Sequence, residues 1–213
     1  MRAVRLLARL VIRTLIVTAA VALVFAVLLH LLFRPDSHSA NQEQYAVYSS
    51  YIEDGLTGDS HSLGDPRGLV LIFANTTMST MAAEQPNKIQ QVRFLAFSIA
   101  NLRRRGASIR LPVLYNFFCS NLRSHKFERR FVIGARYTFL ESAADYFKPN
   151  IQQRYPESYG FLSLSSVAFS HDMSEALFYA EHVCGLCGGG EFVLMKKTNG
   201  AWSVAERYST WVS

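Results

Sequence analysis

Cys184-Gly-Leu-Cys187 is the pattern in this chain with the most obvious reactivity. A redox CxxC pair needs its first thiol at a helix N-terminus, where the dipole lowers the thiol pKa. Here the pair lies between two strand-like segments, and three glycines follow it, so no helix is at hand. The pattern reads as a disulfide closing a turn, which an oxidising compartment would preserve. Free thiols, or a bridge from one of the pair to Cys119, are the competing arrangements. Zinc would need His182 together with His171 or Cys119, because structural zinc takes four ligands and only one CxxC is present. No metal and no other cofactor is expected.

Ser165, Ser166, His171 and Asp172 offer a nucleophile, a base and an orienting acid by residue type alone. Residue type is not geometry, and Ser and Asp beside a turn usually bond the local backbone. Neither G-x-S-x-G nor HExxH occurs, so no catalytic residue is expected. An envelope hydrolase or a thiol-dependent enzyme built on the 165–187 region is the alternative reading. Gly185 and Gly188–Gly190 could present N–H groups to an anion, but the P-loop pattern is missing and a plain turn is the simpler expectation. The remaining candidate is electrostatic. Arg103, Arg104, Arg105, Arg110, Arg123, Lys126, Arg129 and Arg130 fall within 28 residues. They form a candidate patch for an anion or an acidic partner, and the competing expectation is that nearby acids neutralise it.

The elements that must position these residues are partly legible. Gly68–Ala74 is a short apolar run typical of a buried strand, and Asn75-Thr-Thr77 ends it with a glycosylation sequon that matters only in a eukaryotic host. Pro86 and Asn87 open a helix that runs to Arg105 and stops at Gly106, with three arginines in its last turn complementing the dipole. Residues 107–120 and 131–140 read as strands, and 141–155 as short helical turns broken by Pro149. Four further strands follow: Leu162–Ser170 with a shift near Ser165-Ser166, Ala176–Val183, Glu191–Thr198 and Ala201–Val212. His171–Ser174, Gly185–Gly190 and Asn199-Gly200 turn them, the last being a strong two-residue hairpin signal. Four consecutive antiparallel strands make a meander with a face that the 87–105 helix can cover. The fold class expected is α+β, with one domain over residues 68–213.

Thr14–Phe33 precedes all of this: twenty residues without a formal charge, enough at about 1.5 Å each to cross the roughly 30 Å of a bilayer core. A cleaved signal peptide has a shorter apolar stretch and a small-x-small site, and the nearest candidate here, after Ala40, has His38 where a small residue is wanted. An uncleaved transmembrane anchor is therefore expected. Arg2, Arg5, Arg9 and Arg13 stand on one side of it and only Arg34 on the other, so residues 1–13 form a cytoplasmic basic tail. Residues 34–67 read as a tether, with Tyr45, Val47, Tyr48, Tyr51 and Ile52 at helix-like spacing and able to dock one face on the domain.

The charge can now be apportioned. The chain has 213 residues and a formal net charge of +6, but five of its cations flank the anchor, while all 16 of its acids lie beyond it, the first being Asp36. Residues 35–66 carry net −6, residues 67–154 net +10 and residues 155–213 net −3. The expected partners are thus the membrane, through Thr14–Phe33, and an envelope protein or anionic envelope component. Nucleic acid is excluded by a domain that lies outside the cytoplasm.

Tyr155-Pro-Glu-Ser-Tyr-Gly160, Ser166-Val-Ala-Phe169, Glu175-Ala-Leu-Phe-Tyr179, Cys184–Gly190, Gly200-Ala-Trp202 and Trp211-Val-Ser213 together resemble a family of small bacterial exported or membrane-anchored proteins with no assigned function. The similarity lies mainly in residues 155–213. It implies a bacterial exported α+β domain, hence the inner membrane with the main domain in the periplasm, and supplies no chemistry. A non-enzymatic binding or envelope-associated module is the function expected.

Overall fold

The computed structural model describes residues 12–21, 23–24, 27, 37–57, 68–77, 88–142, 145, 148, 151–184 and 188–212. Of the expected anchor, residues 14–21, 23–24 and 27 are among them; they are helical, and Leu15, Ile16, Val17, Val21, Leu23, Val24 and Val27 are exposed. Among the described residues no helix is long and apolar enough to cross a membrane. The helix start expected at Pro86-Asn87 and the loop residues Gly185, Leu186 and Cys187 lie outside the described residues.

The domain is α+β, built on a mixed seven-stranded sheet with four helices whose bounds fall among the described residues. In chain order these are α1 (Ser37–Thr57), β1 (Leu69–Phe73), α2 (Lys88–Arg104), α3 (Leu111–Ser120), β2 (Arg136–Leu140), α4 (Ile151–Arg154), β3 (Ser158–Leu164), β4 (Ala168–Phe169), β5 (Glu175–Val183), β6 (Gly188–Thr198) and β7 (Ala201–Val212). The strands run β2-β1-β3-β5-β6-β7 across the sheet, with β4 also on β5. β1 is parallel to both β2 and β3, and the rest of the sheet is antiparallel. The expected meander is present. β3 pairs with Ala180–Val183 of β5 and β4 with Ala176–Leu177, so the two are one line of chain interrupted at 165–167, where the sequence pattern shifts. Asn199 (φ 52°) and Gly200 (φ 83°) both take positive φ, the requirement of the type I′ hairpin between β6 and β7.

Alternation along β5 splits its side chains between two cores. Ala176, Phe178 and Ala180 face α1, whose Tyr45, Val47, Tyr48, Tyr51, Ile52 and Leu56 are buried against them with Phe127, Phe131 and Trp202. Leu177 and Tyr179 face α2 and α3, where Leu95, Leu102, Val113, Leu114 and Phe117 close the second core with Phe192 and Leu194. Both faces of the sheet are covered, where one covering helix was expected. The piece of the 34–67 segment read as docking one face is a 21-residue helix whose apolar side forms a large part of the first core.

Two local expectations fail for identifiable reasons. Residues 107–120 are not a strand: Leu111–Ser120 is helical, with Pro112 in its first turn and Arg110 as N-cap. A short, almost wholly apolar run does not reveal its period, and Pro in the first turn was the deciding signal. Gly188–Gly190 belong to β6 and not to a turn, paired with Val183, His182 and Glu181. The missing side chains leave room for close neighbours: a Cβ on Gly190 would overlap the Tyr179 hydroxyl and the Trp211 ring, and one on Gly188 would come within 2.7 Å of the His182 carbonyl and 3.3 Å of that ring. The strand expected at 131–140 is confined to Arg136–Leu140. α2 ends as expected at Gly106 (φ 76°), where Ala107 N–H bonds Leu102 O at 3.2 Å and Gly106 N–H bonds Arg103 O at 3.1 Å, the Schellman pattern.

Candidate functional site

The Ser-His-Asp letters are placed by the interruption between β3 and β4. Ser165 substitutes for the missing ladder: its N–H donates to Tyr179 O and its Oγ accepts from Tyr179 N–H, both at 2.8 Å. Tyr48 of α1 donates to Ser165 O at 2.7 Å from one side of the sheet. From the α3 end, Asn121 accepts from Ser166 N–H at 2.9 Å and donates to Ser166 O at 3.2 Å. The Ser166 hydroxyl meets Thr76 Oγ1 at 3.3 Å. Both serines are buried, and their polar atoms are committed to the chain around them. They complete the backbone hydrogen bonding of a broken strand, as buried polar groups must.

His171 and Asp172 lie in the following turn. His171 is exposed and has no partner among the described residues. Asp172 faces Arg110 at the start of α3, whose Nη1 and Nη2 reach its two oxygens at 3.3 and 3.2 Å, while Arg110 Nε bonds Glu175 at 2.6 Å. Hydrogen bonds from Ser170, the Arg110 guanidinium and Ser174 hold the Asp172 carboxyl well below the usual carboxylate range. Nucleophile, base and acid therefore do not converge: the hydroxyls face inward, the imidazole faces out, and the carboxylate serves Arg110.

The cysteines are separated likewise. Cys119, on α3, is a free, half-buried thiol that bonds the Tyr115 hydroxyl. Cys184, just past β5, is not free. Among the described residues no group of three or more His, Cys, Asp and Glu side chains could hold a metal ion. His182 stands at the far end of β5 from the turn that carries His171.

The basic block divides into two kinds. Arg110 is spent on Asp172 and Glu175, Lys126 on Glu141 at 3.1 Å, and Arg130 on Glu128 at 3.6 Å and the Tyr45 ring at 4.8 Å. Arg105 donates to Ser209 O on β7, and Arg129 lies 5.9 Å over the Phe139 ring. Arg103, Arg104 and Arg123 are exposed and have no partner among the described residues. The acids that neutralise part of the block are Asp172 and Glu175 of the C-terminal stretch, Glu128 within the block and Glu141 beyond it, while Glu43 and Asp54 of the 35–66 stretch pair with Lys197 and Arg207 instead.

One surface was not foreseen. Along α2, Arg93 joins Arg103 and Arg104 as an exposed, unpaired cation among the described residues, and between them Phe97 is 65% and Phe94 44% exposed. The signal was present. Phe94 and Phe97 lie off the stripe that Leu95 and Leu102 bury, and no acid occurs between Lys88 and Phe127. Comparison of the chain with protein-family models, curated proteins and solved structures finds no match.

Proposed function

We propose that this chain is a bilayer-anchored, non-enzymatic binding module, held through Thr14–Phe33 in a bacterial inner membrane with its N-terminus cytoplasmic and its α+β domain in the periplasm. The resemblance of residues 155–213 to exported bacterial proteins supports that location, as does the row of exposed apolar side chains from Leu15 to Val27. The module recognises an anionic envelope component. The observation that carries this reading is the set of exposed arginines on α2, Arg93, Arg103 and Arg104, which pair with no acid among the described residues and sit on an element that contains none. The test uses the full chain in zwitterionic nanodiscs, titrated with fluorescent polyglutamate. Binding should weaken with rising salt, since exposed charges are screened over about 8–10 Å, and should drop on Arg103→Glu with Arg104→Glu. Equal binding by the double variant would overturn the reading.

The same compartment makes Cys184–Cys187 the bridge we propose. The β5–β6 ladder ends on Val183 opposite Gly188, and in sequence Cys184 directly follows the one and Cys187 directly precedes the other. Thiol titration of the denatured, unreduced protein should then count one free thiol, that of Cys119, and three after reduction. Three before reduction would refute the bridge.

A further inference from the structure

We propose that the outward face of α2 rests on the anionic phospholipid headgroups of the bilayer that holds the chain's own N-terminal segment. This rests on the anchored reading above and names the partner of the same arginines. Arg93, Phe97, Ala100 and Arg104 follow one another at intervals of four, three and four residues, so they form a single stripe along the helix. The stripe lies opposite Leu95 and Leu102, which are buried in the second core, and all four of its residues are exposed. Phe94 widens it on one side.

Arginine alternating with exposed phenylalanine, with no carboxylate between, is what a headgroup layer accommodates. Guanidinium groups pair with phosphates, while the aromatic rings enter the boundary between headgroups and acyl chains. Bulk water gives the rings no such environment. The stripe is one convex helix face, whereas a specific protein partner would call for a buried central anchor pocket. The bilayer is also the anionic surface the anchor keeps permanently within reach, so contact is intramolecular in effect. Between Phe33 and Ser37 there are four Cα–Cα steps, a reach of about 14 Å when extended.

The experiment places a reporter at the centre of the stripe: Phe97→Trp in the full chain, reconstituted in nanodiscs of phosphatidylcholine alone or mixed with phosphatidylglycerol. Emission is compared with the unsubstituted chain to subtract Trp202 and Trp211. With phosphatidylglycerol present, the added tryptophan should shift to the blue and be quenched by brominated lipid. Both effects should fade in high salt, in phosphatidylcholine alone, and on Arg93→Glu with Arg104→Glu. Phe94→Trp serves as a second reporter should the first variant lose its cooperative melt. An added tryptophan that stays unquenched in both disc types, while the chain co-elutes with the discs, overturns the lipid contact, leaves the anchor standing and points to an acidic protein partner. A chain that elutes apart from the discs refutes the anchor, and the lipid contact with it.

Discussion

The Asp172 carboxylate accepts hydrogen bonds from the Ser170 hydroxyl at 2.5 Å, the Ser174 hydroxyl at 2.8 Å and N–H at 3.2 Å, and both terminal nitrogens of Arg110. All of these favour the ionised form, so its folded pKa lies below its unfolded value. The sign of the pH effect follows. The contribution to stability is complete above the unfolded value of about 3.9 and is lost as the pH falls through the lower folded value. Asp172→Asn should therefore lower the urea midpoint at pH 7, and the gap to the parent protein should close on acidification below pH ~4. Because Arg110 and Asp172 are both well exposed, the effect at neutral pH should be about 1 kcal/mol or less. A gap that persists unchanged at low pH would show that charge is not what Asp172 contributes. A catalytic acid in a Ser-His-Asp arrangement has no reason to be tied to an arginine in this way, and the neighbouring serines are tied as firmly to backbone.

At the scale of elements, the break between β3 and β4 is held from both sides of the sheet. Tyr48→Phe should leave Ser165 O without its partner in a fully buried site while preserving the ring's packing on Phe127, Phe131 and Phe178. The expected cost is about 1–3 kcal/mol by urea unfolding, and a variant as stable as the parent would show that the bond contributes nothing net. The meander, the break near 165–166 and the Asn199-Gly200 turn were all legible, because period-two alternation and turn chemistry are written in adjacent residues. α3 was not, since Leu111–Phe118 is apolar at all but one position and so shows no period, and only Pro112 marked its start. The strand character of Gly188–Gly190 was illegible for another reason. It depends on Trp211, an indole more than twenty residues away that needs bare backbone beneath it. The division of the basic block was equally hidden, because Asp172, Glu175 and Glu141 reach their cations only through the fold. The exposed Phe94 and Phe97, by contrast, could have been found by asking which apolar residues of α2 do not fit its buried stripe.

For the whole molecule, the helix nearest the N-terminal segment is also one of the main supports of the core. Glu43 of α1 takes Lys197 Nζ at 2.8 Å and Trp202 Nε1 at 2.7 Å, and together these bonds outweigh the effect of burial and hold its pKa below the ordinary value. Farther along, Asp54 takes Arg207 Nη2, while Tyr51 donates to Glu191 at 3.0 Å. A chain beginning at Gly68, the boundary the sequence pattern suggests, would lack Val47, Tyr48, Ile52 and Leu56, all almost completely buried. At about 2–5 kcal/mol for each large apolar side chain removed, that loss is as large as the whole stability of an ordinary domain, about 5–15 kcal/mol. Such a chain should show no cooperative urea transition and no near-ultraviolet circular dichroism. A sharp transition would mean that α1 is dispensable. The exposed edge at β7 is also guarded: Ser50 donates to Trp202 O at 2.6 Å and Arg105 donates to Ser209 O, which engages carbonyls that could otherwise recruit another strand.

The bond between Glu43 and Trp202 joins residues 159 positions apart. At a synthesis rate of about 5–20 residues per second, the ribosome needs roughly 8 to 30 s to make the second partner after the first. Throughout that interval the tyrosines and aliphatic side chains of α1 have only part of their core, since Val70, Ile72, Phe127 and Phe131 are made early but the later strands are not. The strands that will receive them, β5 to β7, are made last. Newborn copies of this protein must therefore be shielded or kept from settling until nearly the whole chain is out, and a copy truncated before Trp202 would leave Glu43 and the start of α1 without their partner on β7.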